Sequence, residues 1–244
     1  MTAVPARPAV VASADDGAAG GSAVERHCAA ELQAAFNALD AGDAERALGH
    51  YRAAVGMATT DALRFQALLG LGSTYAALQR YDEALPALKR ARNLVPESAD
   101  VWYTLGSVYA AAGRTEDALR ALGEAARLDP GLAAAHADRC LLLSKAGRQS
   151  EAAAACRSAV AADDDHVPAW IGLGVASYQL GAYEESSAAF QKALRLQPDS
   201  GRACYGLGLS LLFAGDREGA IAQYVRLKDL DPTLAQDLYR RIFP

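Results

Sequence analysis

Residues 102–118 have the sequence WYTLGSVYAAAGRTEDA, and close variants of this stretch recur along most of the chain. With Ala99 as position 1 of a repeat, copies begin at residues 65, 99, 133, 167 and 201, a constant spacing of 34. A further copy begins at Cys28 and runs to Arg64, three residues longer than the others. Self-similarity at a fixed period is the signature of a repeat architecture, so we predict a row of equivalent structural units.

Small residues, large residues and prolines each keep to their own positions of the repeat. Position 8 is Gly72, Gly106, Cys140, Gly174 and Gly208, position 20 is alanine except for Ser186, and position 32 is proline in four copies. Large residues recur at positions 4, 7, 11 and 24. A glycine near position 15, such as Gly113, can take the left-handed conformation that ends a helix. The pattern therefore predicts pairs of closely packed antiparallel helices that bury their apolar faces by stacking on neighbouring pairs.

The W-x2-L-G-x2-Y…A…P pattern at this period resembles the tetratricopeptide-repeat (TPR) family over residues 28–234. The resemblance implies an all-α fold, a right-handed α-solenoid of helix-turn-helix repeats. We expect a flexible low-complexity tail over 1–27, followed by six repeats and a C-terminal capping helix over 235–244. The expected repeats are 28–64, 65–98, 99–132, 133–166, 167–200 and 201–234. The three extra residues near Thr60 are expected to lengthen the next helix by about one turn, with Thr60 or Asp61 as its N-cap.

Composition narrows the function classes further. The net charge of −5 provides no clustered basic face, so a nucleic-acid partner is not expected. No apolar run approaches the roughly 18 residues of a membrane span. Residues 1–24 lack a basic start and make a poor signal peptide, and the four cysteines show no tight spacing. A cytoplasmic protein is therefore expected.

The resemblance implies that positions 2, 5, 9, 12 and 13 of the first helices line a concave groove. These positions are mostly apolar here, and the charges at these positions and at position 6 are three acids and two bases: Asp40, Asp100, Asp138, Lys145 and Arg202. Such a surface suits an amphipathic helix or an extended apolar peptide, with tyrosines as anchors. The predicted partner-binding residues are Leu69, Tyr103, Ile171, Val175, Tyr178, Arg202, Tyr205, Leu209 and Leu212.

Position 6 separates this groove from two known types in the family. A carboxylate clamp needs lysine and asparagine near positions 2, 5, 6 and 9, and an asparagine ladder needs asparagine at position 6. Position 6 is instead Gln33, Gly70, Thr104, Asp138, Gly172 and Gly206. One hypothesis is that Gly172 and Gly206 make room for a bulky side chain of the partner; the alternative is that they are tolerated drift.

The fourth repeat departs most from the pattern. His136 and Cys140 are four residues apart on one helix, and Cys156 is expected to face them from the paired helix. These three side chains could hold Zn²⁺, and a Cys140–Cys156 disulfide is geometrically feasible. The favoured interpretation is that both cysteines act as small buried hydrophobic residues, so no metal and no cofactor is predicted.

No catalytic constellation can be assembled without using packing positions, and no enzyme activity is predicted. The favoured function is a scaffold or adaptor that binds a protein or peptide partner in its groove, with a role in assembling a bacterial multiprotein complex. Two alternatives remain open. One is a structural protein that self-assembles into homo-oligomers, and the other is a metal- or ligand-sensing module centred on the fourth repeat.

Overall fold

The computed structural model describes residues 22–244, and most of the predicted tail lies outside this range. The described part contains thirteen α-helices and no strand. Twelve of them form six antiparallel pairs that follow one another along the chain. The helices are α1 (Ala23–Asp40), α2 (Ala44–Met57), α3 (Asp61–Ala77), α4 (Tyr81–Leu94), α5 (Ala99–Ala111), α6 (Thr115–Leu128), α7 (Ala133–Lys145), α8 (Gln149–Ala162), α9 (Val167–Gln179), α10 (Tyr183–Leu196), α11 (Gly201–Phe213), α12 (Arg217–Leu230) and α13 (Pro232–Ile242).

These residues divide into two compact units, one ending at Asp129 and the other running from Pro130 to Pro244. The first unit holds three helix pairs, α1 to α6. The second holds three pairs, α7 to α12, and the additional helix α13. Within each unit, odd-numbered helices pack on one another and on the even-numbered helices beside them. The even-numbered helices α2 to α12 are the second helices of their repeats.

The first helix begins five residues before Cys28, so residues 23–27 belong to α1 and not to the predicted tail. Ser22 and Glu25 form a capping box at this end. The Glu25 amide donates to Ser22 Oγ at 3.2 Å, and the Ser22 amide donates to Glu25 Oε2 at 2.7 Å. This reciprocal pair satisfies amides that the first turn would otherwise leave without partners, which explains why the helix starts here.

The turn between the two helices of each pair depends on a residue with left-handed backbone conformation at position 15 of the repeat. Glycines at this position have φ between 75° and 90° in five repeats: Gly42, Gly113, Gly147, Gly181 and Gly215. The second repeat has Gln79 there with φ 59°, which a residue with a side chain adopts less readily than glycine does. The predicted extra turn after the first repeat is confirmed, because α3 has 17 residues and Thr60 caps its N-terminus by accepting from the Leu63 amide.

The residue at position 24 of the repeat, which lies on the second helix, determines how closely the first helices can pack. Phe190 of α10 fills the space beside two glycines, Gly174 in its own repeat and Gly206 in the next. A Cβ added to Gly174 would stand 2.8 Å from the Phe190 ring, and one added to Gly206 only 2.4 Å. Tyr51 occupies the same place against Gly70, at 2.3 Å. The glycines are therefore required by packing between helices, within a repeat at Gly174 and between successive repeats at Gly206 and Gly70.

This packing shows that the hypothesis of a partner side chain above Gly172 and Gly206 is wrong. The space above Gly206 is filled by Phe190, and the space above Gly172 by the sulfurs of Cys140 and Cys156, each 2.9 Å from an added Cβ. The side chains that fill it come from the preceding repeat of the same chain. The large residue at position 24 and the glycine at the following position 6 are complementary in size.

The fourth repeat uses sulfur where its neighbours use a large side chain. Cys140 and Cys156 are joined as a disulfide with a Cα–Cα distance of 5.2 Å, so the favoured interpretation of two free buried thiols is wrong. The bond links α7 to α8. The Nε2 atom of His136 lies 3.2 Å from the Pro130 carbonyl oxygen. Within residues 22–244 no three His, Cys, Asp or Glu side chains are grouped closely enough to hold a metal ion.

The capping helix α13 begins three residues before the repeat period predicts. In the earlier repeats the proline at position 32 lies in a turn between helices, whereas Pro232 is the first residue of α13. Asp231 caps this helix by accepting from the Thr233 and Leu234 amides. A proline at the first position of a helix loses nothing, because the amide it lacks would have no partner within the helix.

In the last repeat, the space beside the position-8 glycine is filled by α13 and not by the repeat's own position-24 residue. Leu238 of α13 lies over Gly208, with Cδ2 2.5 Å from an added Cβ. Tyr224, at position 24 of this repeat, contacts Tyr239 instead, with ring centroids 5.4 Å apart. A leucine from α13 therefore fills the space that a second-helix side chain fills in the other repeats.

We predict that Gly206→Ala destabilises the second unit by about 1–3 kcal/mol, because the added methyl group overlaps the Phe190 ring. Combining it with Phe190→Leu should recover part of this loss, since the smaller side chain leaves room for the methyl group. Urea unfolding of both single variants and the double variant measures the coupling. Gly123→Ala is the control, because nothing lies within 4 Å of its added Cβ, and it should not destabilise. Equal effects at Gly206 and Gly123 would contradict the packing described here.

We predict that two of the four cysteines react with a thiol reagent when the unreduced protein is denatured, namely Cys28 and Cys204. Reduction should then lower the free energy of unfolding by about 3 kcal/mol, as expected for a loop of about 15 residues. Thiol titration and urea unfolding with and without a dithiol reductant measure both quantities. Four reactive thiols before reduction would show that the bond is absent.

Candidate protein-binding face

The second unit presents four helices in a row, α7, α9, α11 and α13, and each contacts the next. We call their outward side the first-helix face. It carries seven of the predicted partner-binding residues, which lie on α9 and α11: Ile171, Val175, Tyr178, Arg202, Tyr205, Leu209 and Leu212. The other two, Leu69 and Tyr103, lie on α3 and α5 of the first unit.

The apolar floor of the first-helix face is only half accessible. Its five members all pack against the buried core around Phe190, Leu207 and Leu238. Their inner surfaces therefore stabilise the stack, while their outer surfaces remain in contact with solvent. In the first unit, Leu69 is buried in the core and Tyr103 is half-buried. The five half-buried floor residues are Ile171, Val175, Tyr205, Leu209 and Leu212.

Three aromatic rings form a cluster where α9 and α11 end and α10 begins. Tyr178 lies edge-on to Phe213, with ring centroids 5.6 Å apart, and Tyr183 stacks on Phe213 at 5.5 Å. The Phe213 side chain is 51% exposed although it is wholly apolar, and neighbouring Leu180 is also exposed. Rigid aromatic side chains that are held in place but still accessible lose little entropy on binding a partner.

Tyr205 is held by the capping helix. Its hydroxyl donates to the Asp237 carboxylate, which also accepts from Arg241 Nε at 2.7 Å. Burial and the bond to Asp237 raise the pKa of Tyr205 to about 12. The bonds from Tyr205 and Arg241 lower the pKa of the Asp237 carboxyl. Tyr205 therefore connects α11 to α13, and its hydroxyl is already engaged within the chain.

A cavity of about 410 Å³ in the second unit is lined by residues of α9 and α10, which include Trp170, Leu173 and Ala189. Its charged residues are largely paired. Lys192 bonds Asp164, and Glu185 accepts from Arg157 at 2.7 Å and 2.9 Å. Among the helices of the described part, none is long and apolar enough to cross a membrane.

Two members of the aromatic cluster were not among the residues predicted from the sequence. Phe213 occupies position 13, one of the predicted groove positions, and Tyr183 is the first residue of a second helix, outside the groove positions. The position of Phe213 was a usable signal, since position 13 had been assigned to the groove. The contact with Tyr183 depends on the angle of the turn at Gly181 and could not be found from spacing alone.

Comparison with known families agrees with this architecture. A model described as tetratricopeptide repeat matches residues 63–131, and a second model of the same description matches residues 137–201 and 173–235. No curated protein matches the sequence significantly. The matched segments cover most of the chain.

Solved structures share the fold at low sequence identity. A tetratricopeptide repeat protein from Parabacteroides merdae is 20% identical, with 89% of this chain and 86% of that chain aligned at a TM-score of 0.67. PilF from Pseudomonas aeruginosa is 16% identical, with 90% and 100% aligned at 0.72. YrrB, described as a TPR protein with an unusual peptide-binding site, is 24% identical, with 75% and 96% aligned at 0.61. Identities this low establish similarity of fold alone.

We predict that the Tyr205–Asp237 bond makes stability depend on pH at both ends of the range. The Tyr205 pKa is raised from 10.0 to about 12, so its contribution is present below pH 10 and is lost as the pH rises towards 12. The Asp237 pKa is lowered, so its contribution is present above the ordinary carboxyl pKa and is lost on acidification. Urea unfolding across this range should show a weaker dependence in Tyr205→Phe. An unchanged profile in that variant would contradict the assignment.

Proposed function

The chain belongs to the tetratricopeptide-repeat family, and on that basis we propose that it is a non-catalytic scaffold that binds an apolar or amphipathic segment of a partner protein. The first-helix face of the second unit is the proposed site. The partner would be a component of a multiprotein complex. A cytoplasmic location belongs to the same proposal, although disulfides are less common in that reducing compartment.

The observation that carries this proposal is the exposed aromatic cluster of Tyr178, Tyr183 and Phe213. A half-exposed phenylalanine fixed between two tyrosines presents apolar surface that the fold itself does not bury. The half-buried side chains of Val175 and Leu209 extend this surface along α9 and α11. Aromatic anchors beside an apolar strip match the surface that a helix or an extended peptide needs.

The similarity to YrrB supports the proposal, because that protein has the same fold and a described peptide-binding site. The arrangement of apolar surface on this chain also supports the proposal. The apolar strip follows the first helices, where neighbouring repeats combine their side chains into one continuous surface within the unit.

Site-specific photocrosslinking in source cells tests this function. A photoreactive phenylalanine analogue replaces Phe213 in one variant and Val225 in the other. Val225 is a matched control, because it is 56% exposed and lies on α12, a second helix. We expect a partner protein to crosslink at residue 213 and not at residue 225, and Tyr178→Ser to weaken the crosslink.

Two results would contradict the proposal. Crosslinking at residue 225 alone would place recognition on the second helices. Crosslinking of residue 213 only to another copy of this chain would favour the self-assembling structural protein over the adaptor. Circular dichroism of each variant confirms that the helices remain folded.

A further inference from the structure

The net charge of α1, α3 and α5 in the first unit differs in sign from that of α7, α9, α11 and α13 in the second. In the first unit, α1, α3 and α5 carry five acidic and two basic side chains, not counting histidine. In the second unit, α7, α9, α11 and α13 carry two acidic and five basic side chains. The whole chain is acidic, with a net charge of −5, so the basic first helices of the second unit are not a consequence of overall composition.

Four of these five cations, all but Arg139, flank the apolar strip of the second unit. Helix α9 has no charged residue, and α11 has only Arg202, at its N-terminal end. Lys145 ends α7 on one side of these two helices, and Arg240 and Arg241 lie in the last turn of α13 on the other side. An uncharged centre is therefore flanked by basic residues from both outer helices.

Three of these five cations are available to a partner. Lys145, Arg202 and Arg240 are exposed, although Arg240 lies close enough to Asp237 to help lower the pKa of that carboxyl. Arg241 differs, because its guanidinium is bonded to Asp237. That bond offsets one of the two acids on the face, which leaves the face with an excess of positive charge.

We propose that the segment bound by the first-helix face is an acidic amphipathic helix, with apolar residues towards α9 and α11 and carboxylates towards Lys145, Arg202 and Arg240. This inference rests on the proposed function and specifies its partner by chemistry. The apolar strip supplies affinity through burial, while the flanking cations select the sign of charge and accelerate encounter.

Two synthetic peptides of about 18 residues test this choice, a length at which an isolated helix is marginally stable. They share one leucine- and phenylalanine-rich face and differ only in carrying glutamate or lysine on the other. Fluorescence anisotropy with the full chain at low salt should show the glutamate peptide binding at least tenfold more tightly, a difference of about 1.4 kcal/mol. The preference should shrink in 1 M salt, where the Debye length is about 3 Å.

Charge reversal on the protein tests whether the cations of the first-helix face cause the preference for the glutamate peptide. Lys145→Glu with Arg202→Glu should remove the preference for the glutamate peptide. The matched control is Arg195→Glu with Lys228→Glu, which makes the same change in net charge at exposed positions of α10 and α12 and should keep the preference.

The outcomes separate this inference from the proposed function. If both peptides bind equally and Phe213→Ser weakens both, the face binds apolar segments and the charge inference is wrong. If the control reversal removes the preference as strongly as the first reversal, net charge and not this face is responsible. If neither peptide binds, the proposed function itself is contradicted.

Discussion

The contact between a position-24 side chain and the glycines of the first helices beside it is the constraint on which the stack depends. Phe190 shows it most clearly, since its ring fills the space beside both Gly174 and Gly206. Any side chain at Gly206 would have to displace this ring, and with it the helices that pack around it. Because the contact joins one repeat to the next, it sets the spacing of α9 and α11 and so the shape of the surface that they present.

The same packing explains why the first-helix face is suited to binding. Small residues and glycines allow the helices to approach closely, so the large side chains between them cannot all be buried. Ile171, Val175 and Leu209 remain half-buried, and Phe213 projects beyond them. The stack is thus stabilised by the inner surfaces of residues whose outer surfaces are available to a partner.

The period of 34 was sufficient to predict the helix pairs, the turns and the family, because each depends on residue types at fixed spacing. It was not sufficient for features that depend on contacts between repeats. The space above Gly172 and Gly206 was assigned to a partner, although side chains of the preceding repeat fill it. The early starts of α1 and α13 depend on local caps, Ser22 and Asp231, which override the repeat period. The cluster around Phe213 required the angle of a turn that spacing does not give.

Hydrogen exchange of the full chain with and without the glutamate peptide tests directly whether a partner binds to the first-helix face. We expect slower exchange in α9 and α11, which form the apolar strip, and little change in α8, α10 and α12. Protection confined to the second helices, or to the first unit, would contradict this expectation, because the partner would then occupy a surface other than the first-helix face.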